Sequence, residues 1–389
     1  GGSELRVLSM IDNLKARIRA STGSDGAAKR WLGPLRRNLS SKALVGSNSI
    51  EGINVTKDEA DALVANEEPP LDQRTETWLS GQGWNRAMTY VLQAASDKTF
   101  VYSESLLKTL HFMMLEHEID KRPGRWRETS IFVYNEASDK IVYEGPDAEQ
   151  IPGLVEALVE SLNASADVPP VVAAALAHLN LVMIHPFKDG NGRMSRCLQS
   201  LVLARSGTVS PVFLSIEEYL GTFTADYYQV LADTGQGIWN PGRDAGSWVR
   251  FCLAAHFFQG SVVTRRIKRA EAAWRVIENL VITRGLPDRC VSPLIDSFLG
   301  RRLRNQYYRE QADVSEQVAT NDLAKLVKAG LLVAHGERKG RSYLRGKELE
   351  ELRAASRPVE TIPNPFLQPD EAEAFSIEGL QRSMASSAP

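Results

Sequence analysis

The chain has 389 residues, 43% apolar and 24% charged, with a formal net charge of −2. That length suggests two or three domains and ample material for a buried core, and the near-neutral balance argues against an overall polyanion binder. Cys197, Cys252 and Cys290 are too scattered for a disulfide framework or a metal pair, which fits a reducing cytoplasm. No run of about 18 apolar residues predicts a membrane span. The start, "GGSELRVLSM", lacks a basic-then-apolar signal pattern, and residues 1–3 read as an expression scar outside the fold.

Most of the chain reads as helix. Residues 4–20 place Leu5, Leu8, Ile11, Leu14 and Ile18 on one stripe. A second helix starts after Thr56 as N-cap and stops at Pro69-Pro70. Residues 75–96 and 103–120 form two more, Ser103 capping the latter. Two β-rich runs around a polar turn, "TSIFVYN" and "IVYEGP", read as a hairpin. Helix resumes over 148–165 and 169–184, the latter so apolar that it should be central and buried. The next helix, 192–207, starts inside the stretch "HPFKDGNGRMSR" and ends at Gly207, with more helix to about Phe258.

Residues 264–357 carry 20 Lys plus Arg against 12 Asp plus Glu. Within them, residues 314–346 read as helix, turn, helix and a hairpin with a basic tip, the order of a winged helix-turn-helix. The tail 358–389 is proline-containing and acidic and is expected to be flexible. The predicted domains are a helical region over 4–100, a core over 101–260, the basic module over 264–357 and the tail.

The stretch His185–Arg196 concentrates the chemistry. Gly190, Asn191 and Gly192 open a helix, where glycines permit close backbone approach and free N–H groups form an anion nest aided by the helix dipole. A phosphate is its natural occupant. Arg193 and Arg196, three apart, share a helix face and suit bidentate phosphate contacts. Asp189 makes sense as an Mg²⁺ ligand beside a polyphosphate. His185 can titrate near neutral pH and suits general-base work, while Phe187 reads as a core anchor. Together these residues point to phosphoryl or nucleotidyl transfer, without a Walker loop.

"HPFKDGNGR" followed by "MSR" resembles the Fic motif, HxFx[D/E]GNGRxxR, at all eight defined positions. The likeness extends over roughly residues 30–260, through "SNSIEG", the hairpin, His178 and Tyr227-Tyr228. It implies a mainly α fold with a β-hairpin flap, and transfer of AMP from ATP to a Ser, Thr or Tyr hydroxyl of a target protein. By this resemblance His185 deprotonates the hydroxyl and Asp189 holds Mg²⁺. Gly190, Asn191 and Gly192 cradle the α- and β-phosphates, Asn191 also contacting phosphate, and Arg193 and Arg196 bind the β- and γ-phosphates. Ile131, Phe132 and Val133 of the hairpin would clamp the target by strand pairing. Gly124 and Arg127 look like the residues preceding that flap, and Tyr228 is a candidate nucleobase contact. Two departures are visible. The stretch after Tyr228, "ADTGQGIWNPGRDAGSW", is longer and richer in glycine than the family pattern, and "EGP" stands where a double proline is common.

"SNSIEG" is similar to the family's inhibitory motif, [S/T]xxxE[G/N], with Ser47, Glu51 and Gly52 at the defined places. The implied physics is a carboxylate that pairs with Arg196 and occupies the γ-phosphate pocket. In some relatives the same glutamate helps remove AMP from the modified target. Self-modification and homo-oligomers are compatible with this pattern. Other readings keep the fold but transfer UMP, phosphate or phosphocholine. For the basic module, Lys325, Lys328, Arg338, Lys339 and Arg341 could contact DNA; recruitment of a protein, or packing with solvated charges, is the favoured reading. His178 reads as structural, and His111 and His117 are too poorly spaced for zinc.

Overall fold

A computed structural model describes residues 1–23, 29–67, 74–135, 139–164, 167–207, 210–337, 340–356, 361–367 and 374–375. The fold is mainly α with a small β-hairpin, as expected. In chain order it runs α1 (Gly2–Thr22), α2 (Leu32–Ile50), α3 (Lys57–Val64), α4 (Glu76–Ser96), α5 (Glu104–Leu115), β1 (Phe132–Asn135), β2 (Lys140–Glu144), α6 (Ile151–Asn163), α7 (Pro170–Ile184), α8 (Asn191–Arg205), α9 (Glu217–Thr222), α10 (Thr224–Gly235) and α11 (Gly246–Thr283). Then follow α12 (Val291–Leu299), β3 (Leu303–Arg304), α13 (Asn305–Ala312), α14 (Glu316–Lys328), β4 (Leu332–His335), β5 (Ser342–Arg345), α15 (Lys347–Ala355), β6 (Ile362–Pro363) and β7 (Ala374–Phe375). Two compact units divide the chain: residues 1–15, 42–56 and 69–260 in the first, and 16–41, 57–68 and 261–389 in the second.

In the first unit α7 packs on α6 and α8, and α4 on α5 and α8. Val171, Ala174, Leu181 and Ile184 of α7 and Met194, Leu198 and Leu201 of α8 are essentially inaccessible, as the all-apolar stretch demands. Thr75 and Ser103 cap α4 and α5 by accepting the amides of Trp78 and Leu106. The hairpin pairs Phe132 with Glu144 and Val133 with Tyr143, then shifts register before Tyr134 meets Ile141. Beyond β2, the Glu144 amide donates to Gly237 and the Trp239 amide to Glu144. The extra glycine-rich stretch therefore runs beside the flap, and Gly237, at φ 83°, takes a conformation only glycine adopts readily. Among the described residues, the other edge of β1 pairs with no strand.

Several boundaries differ from expectation. The α1 stripe is rotated: Leu5 is 69% exposed, while Val7, Ile11 and Ile18 are buried. Helix α3 ends at Val64, where Asn66 at φ 56° makes a left-handed cap and the Glu67 amide returns to the Ala62 carbonyl; Pro69 and Pro70 lie outside the described residues. Helix α11 does not stop near Phe258 but reaches Thr283, because no proline interrupts it before Gly285 caps it at φ 61°. The predicted boundary at 260–264 thus falls inside a helix.

The second unit holds helix, strand, two helices and two strands, α12 to β5, with sheet order β3-β5-β4, all antiparallel. Residues 314–346 contain one helix and a hairpin, not two helices. The partner helix, α13, lies upstream, and a strand, β3, was not anticipated. Several of the basic residues are paired within the unit: Arg289 with Asp322, Arg302 with Asp58, Arg304 with Glu67, Arg309 with Glu316 and Arg345 with Glu350. Arg301 bonds Glu67 and the Asp61 carbonyl. Lys325, Lys328 and Arg341 are exposed; Arg338 and Lys339 lie outside the described residues. Within the stretch expected to be a flexible tail, β6 and β7 pair, and the rest of 368–389 lies outside the described residues.

Candidate functional site

The site forms where α7 stops. His185 ends the helix at φ 51°, its amide donating to the Leu181 carbonyl. Its Nδ1 lies 3.0 Å from the Val182 carbonyl oxygen, which can only accept, so Nδ1 carries the proton and Nε2 is left with a lone pair. Burial lowers the imidazole pKa from 6.5, with Arg127 adding to the effect. The neutral form is the one a general base needs.

Arg127 fastens this corner to the flap. Its guanidinium donates to the carbonyls of His185, Thr129 and Pro146, and its amide donates to Pro186. Phe187 is fully buried, as expected of an anchor. Asn191 closes the loop in both directions: its Nδ2 donates to the Phe187 carbonyl at 2.9 Å and its Oδ1 accepts the Phe187 amide at 3.0 Å. The Asn191 side chain thus has one N–H and one lone pair engaged within the loop.

Gly190, at φ 73°, needs its missing side chain, since a Cβ there would sit 2.7 Å from Leu115 Cδ1. Gly192 likewise leaves room for the Glu51 carboxylate, whose Cδ would be 3.2 Å from a Cβ at that position. The first amides of α8 have no intrahelical acceptor and carry the positive end of the helix dipole. Arg193 is 3% exposed, and its Nε and Nη1 have no hydrogen-bond partner. Unmet donors on a buried cation call for an anion.

Arg196, 1% exposed, is held by the upstream motif. Its Nε donates to Ser47 Oγ at 3.0 Å, and its Nη2 to the Ser47 carbonyl at 2.9 Å and to Glu51 Oε1 at 2.8 Å. Burial works against the charge, but Glu51 and other neighbours hold the pKa of Arg196 above its ordinary value. Glu51 follows the last residue of α2. Gly52, at φ 73°, then reverses the chain, with the Ile53 amide returning to the Asn48 carbonyl. Tyr228, the candidate nucleobase contact, donates its hydroxyl to the Ile50 carbonyl at 2.9 Å and is 47% exposed. It thereby meets the chain one residue before Glu51.

Asp189 accepts the Gly190 amide on Oδ1 and Lys121 Nζ, 2.9 Å away, on Oδ2. Burial pushes its carboxyl up, yet Lys121 and the Gly190 amide leave it below the usual range. Among the described residues no group of three or more His, Cys, Asp or Glu could hold a metal. One ionised carboxylate is still an adequate protein share for Mg²⁺ when phosphate oxygens supply other ligands.

Sequence reasoning missed His111 as a part of this site. Its Nδ1 accepts the Gly124 amide at 2.8 Å, and its Nε2 donates to the Asp189 carbonyl at 2.9 Å. Its ring stacks on Phe187 at 3.7 Å. Burial lowers its pKa to about 4, in keeping with one donating and one accepting nitrogen. Glu217 was also missed; burial pushes its carboxyl up to about 8, with Arg196 pulling the other way. Neither residue stands in a motif, so only three-dimensional proximity reveals them. His178 is structural as read, bonded to Gln199 Oε1 at 2.6 Å and the Tyr227 hydroxyl at 3.0 Å. In the flap, Ile131 and Val133 are half-buried and Phe132 is 44% exposed.

Comparison with known proteins agrees with this geometry. Residues 101–203 match the Fic/DOC family. The chain is 28% identical over 204 residues to protein adenylyltransferase Fic of Nematostella vectensis, covering 50% of this chain and 43% of that protein. It is 34% identical over 134 residues to protein adenylyltransferase fic-1 of Caenorhabditis elegans, covering 34% and 24%. The chain thus spans less than half the length of the curated relatives it matches. Among solved structures, a Fic family protein from Desulfovibrio desulfuricans superposes with a TM-score of 0.54 at 21% identity, covering 89% of this chain and 97% of that one. Fic-1 of C. elegans superposes with a TM-score of 0.52 at 20% identity, covering 70% and 73%.

Proposed function

Because residues 101–203 form a Fic domain, we propose that the chain transfers AMP from ATP to a hydroxyl side chain of a protein, and that Glu51 holds it in an inhibited state. The observation that carries this reading is the pair of buried arginines on one face of α8: Arg193 with unmet donors, and Arg196 with a carboxylate already in place. The first asks for a phosphate, and the second has a substitute for one.

In this reading the triphosphate lies across the N-terminus of α8, against the amides of residues 191–193 and the Arg193 guanidinium. The Nε2 lone pair of His185 takes the proton of the target hydroxyl. The hydroxyl oxygen bonds to the α-phosphorus, the bond from that phosphorus to the oxygen bridging to the β-phosphate breaks, and pyrophosphate departs. Asp189 would hold Mg²⁺, which offsets phosphate charge when bound. The open edge of β1 supports docking of the target as an added strand, with Ile131, Phe132 and Val133 beneath it. Glu51 bonded to Arg196 excludes the γ-phosphate from that guanidinium. Released, the same carboxylate can orient a water for the reverse removal of AMP.

The element order and sheet of the second unit support a winged-helix-like module that recruits a protein. Several of its arginines are paired within the unit, while Lys325, Lys328 and Arg341 are exposed, so nucleic acid stays as the alternative ligand. Self-modification and assembly with a second copy remain part of the reading, as relatives of this pattern suggest. Three free, buried cysteines support a reducing, cytoplasmic setting; among the described residues no helix is long and apolar enough to cross a membrane. The test is to incubate Glu51→Gly protein with labelled ATP, GTP, CTP or UTP in a cell lysate and identify modified peptides by mass spectrometry. AMP on Ser, Thr or Tyr, absent when His185→Ala is added, is the expected result. Label from UTP alone, or label independent of His185, overturns it.

A further inference from the structure

We infer that Gly46 and Gly221 form the seat of the inhibitory turn, positioning Glu51 by letting two helix backbones touch. This rests on the reading of Glu51 as an inhibitor. A Cβ on Gly46 would lie 2.9 Å from both the Glu217 carbonyl carbon and Glu218 Cα, and nearer still to the Glu217 oxygen. A Cβ on Gly221 would lie 2.6 Å from Gly46 Cα and 2.7 Å from its carbonyl oxygen. The contact is reciprocal: the last turn of α2 crosses α9 with no side chain between them. Neither glycine stands at a positive φ, so neither is there for backbone freedom. What they provide is proximity.

The consequence for the site follows from chain distance. Ser47 is the next residue after Gly46, and Glu51 comes one helical turn later. Both reach the same guanidinium, through contacts of 2.8–3.0 Å. Two other bonds flank the crossing. Lys42 pairs with Glu218 at 2.9 Å one turn before, and Tyr228 bonds the Ile50 carbonyl at 2.9 Å one turn after. Restoring an ordinary 3.4 Å contact requires α2 to withdraw by about 0.8 Å at Gly221 and by more at Gly46. Hydrogen bonds weaken steeply over such a change, so all three Arg196 contacts loosen together. Alanine otherwise favours a helix over glycine, so any loss of seating comes from the crossing and not from the helix itself.

The experiment measures AMP incorporation and amide hydrogen exchange over residues 47–52 in Gly46→Ala, Gly221→Ala, Glu51→Gly and the Gly46→Ala/Glu51→Gly pair. Each alanine variant should raise transfer about 10-fold and speed exchange at the turn. The pair should be no faster than Glu51→Gly alone, an outcome that a merely structural role would not produce. Gly221 is itself partly exposed, near the end of the six-residue α9, so its variant carries the test even if Gly46→Ala does not fold. If Glu51→Gly activates while a folded Gly221→Ala keeps the wild-type rate and exchange, the seat is refuted and the inhibitor stands. If Glu51→Gly does not activate, the inhibitory reading itself falls.

Discussion

Replacing Glu51 by glycine is expected to open the site, and the size of the effect can be worked from the contact. The guanidinium of Arg196 is 1% exposed and the Glu51 side chain 26%, so their 2.8 Å bond joins a desolvated cation to a carboxylate at the rim. A hydrogen bond to a charged group contributes about 1.5–3 kcal/mol. Each 1.36 kcal/mol is about tenfold, so the closed arrangement outweighs the open one by about 10- to 150-fold. Glu51→Gly should raise AMP incorporation from labelled ATP by about that factor. Glu51→Gln should raise it less, because a neutral amide still fills the space beside Gly192. Arg196→Ala should lower transfer, since the same guanidinium is the proposed phosphate ligand. A folded Glu51→Gly protein at the wild-type rate, or Arg196→Ala matching Glu51→Gly, would refute the reasoning.

Burial holds the His185 pKa below 6.5, and the base must be neutral. The rate of Glu51→Gly protein should therefore fall along an acid limb centred below pH 6.5; a limb centred above 6.5 contradicts this. His111→Phe keeps the stack on Phe187 but strands the Asp189 carbonyl and the Gly124 amide. It should cost about 2 kcal/mol or more of stability in denaturant unfolding and slow transfer on the Glu51→Gly background, and unchanged values for both would remove His111 from the site. Val133→Pro should cut transfer to protein targets by disrupting β1 pairing, while a thermal shift on adding ATP stays as in the parent. Undiminished transfer would show that the flap does not carry the target.

What was legible in the sequence is what repeats in local chemistry. The phosphate loop needs small residues, an anchor and two arginines at fixed spacing, so its eight positions sit together in the chain and read directly. The helices of the first unit followed from apolar period and caps, Ser103 among them, whereas the Thr75 cap was not read. Residues supplied from elsewhere in the fold were harder to read. His111 lies 78 residues from Asp189 and looks like any histidine on an apolar helix. Asn191 was read as a phosphate contact from the family resemblance, and its side-chain bonds to Phe187 were not legible in the sequence. Tyr228 was read as a nucleobase contact from the family resemblance; the bond of its hydroxyl to the Ile50 carbonyl at the end of α2 is one that no periodicity could signal. Composition shifts near residue 264 and the compact units divide between residues 260 and 261, yet α11 runs on through that point to Thr283, a continuity that composition does not signal.

Ser47 grips Arg196 twice, through its hydroxyl and its carbonyl, and neither grip depends on Glu51. When the carboxylate swings away, the cation is not stranded. Opening therefore asks for one rotamer change, a picosecond-to-nanosecond event, and no unfolding of the helix behind it. A guard built this way is leaky by construction: each resting molecule samples the armed arrangement many times within a single turnover. The unstimulated protein should be quiet without being silent, and an activator needs to contribute only the worth of a single bond.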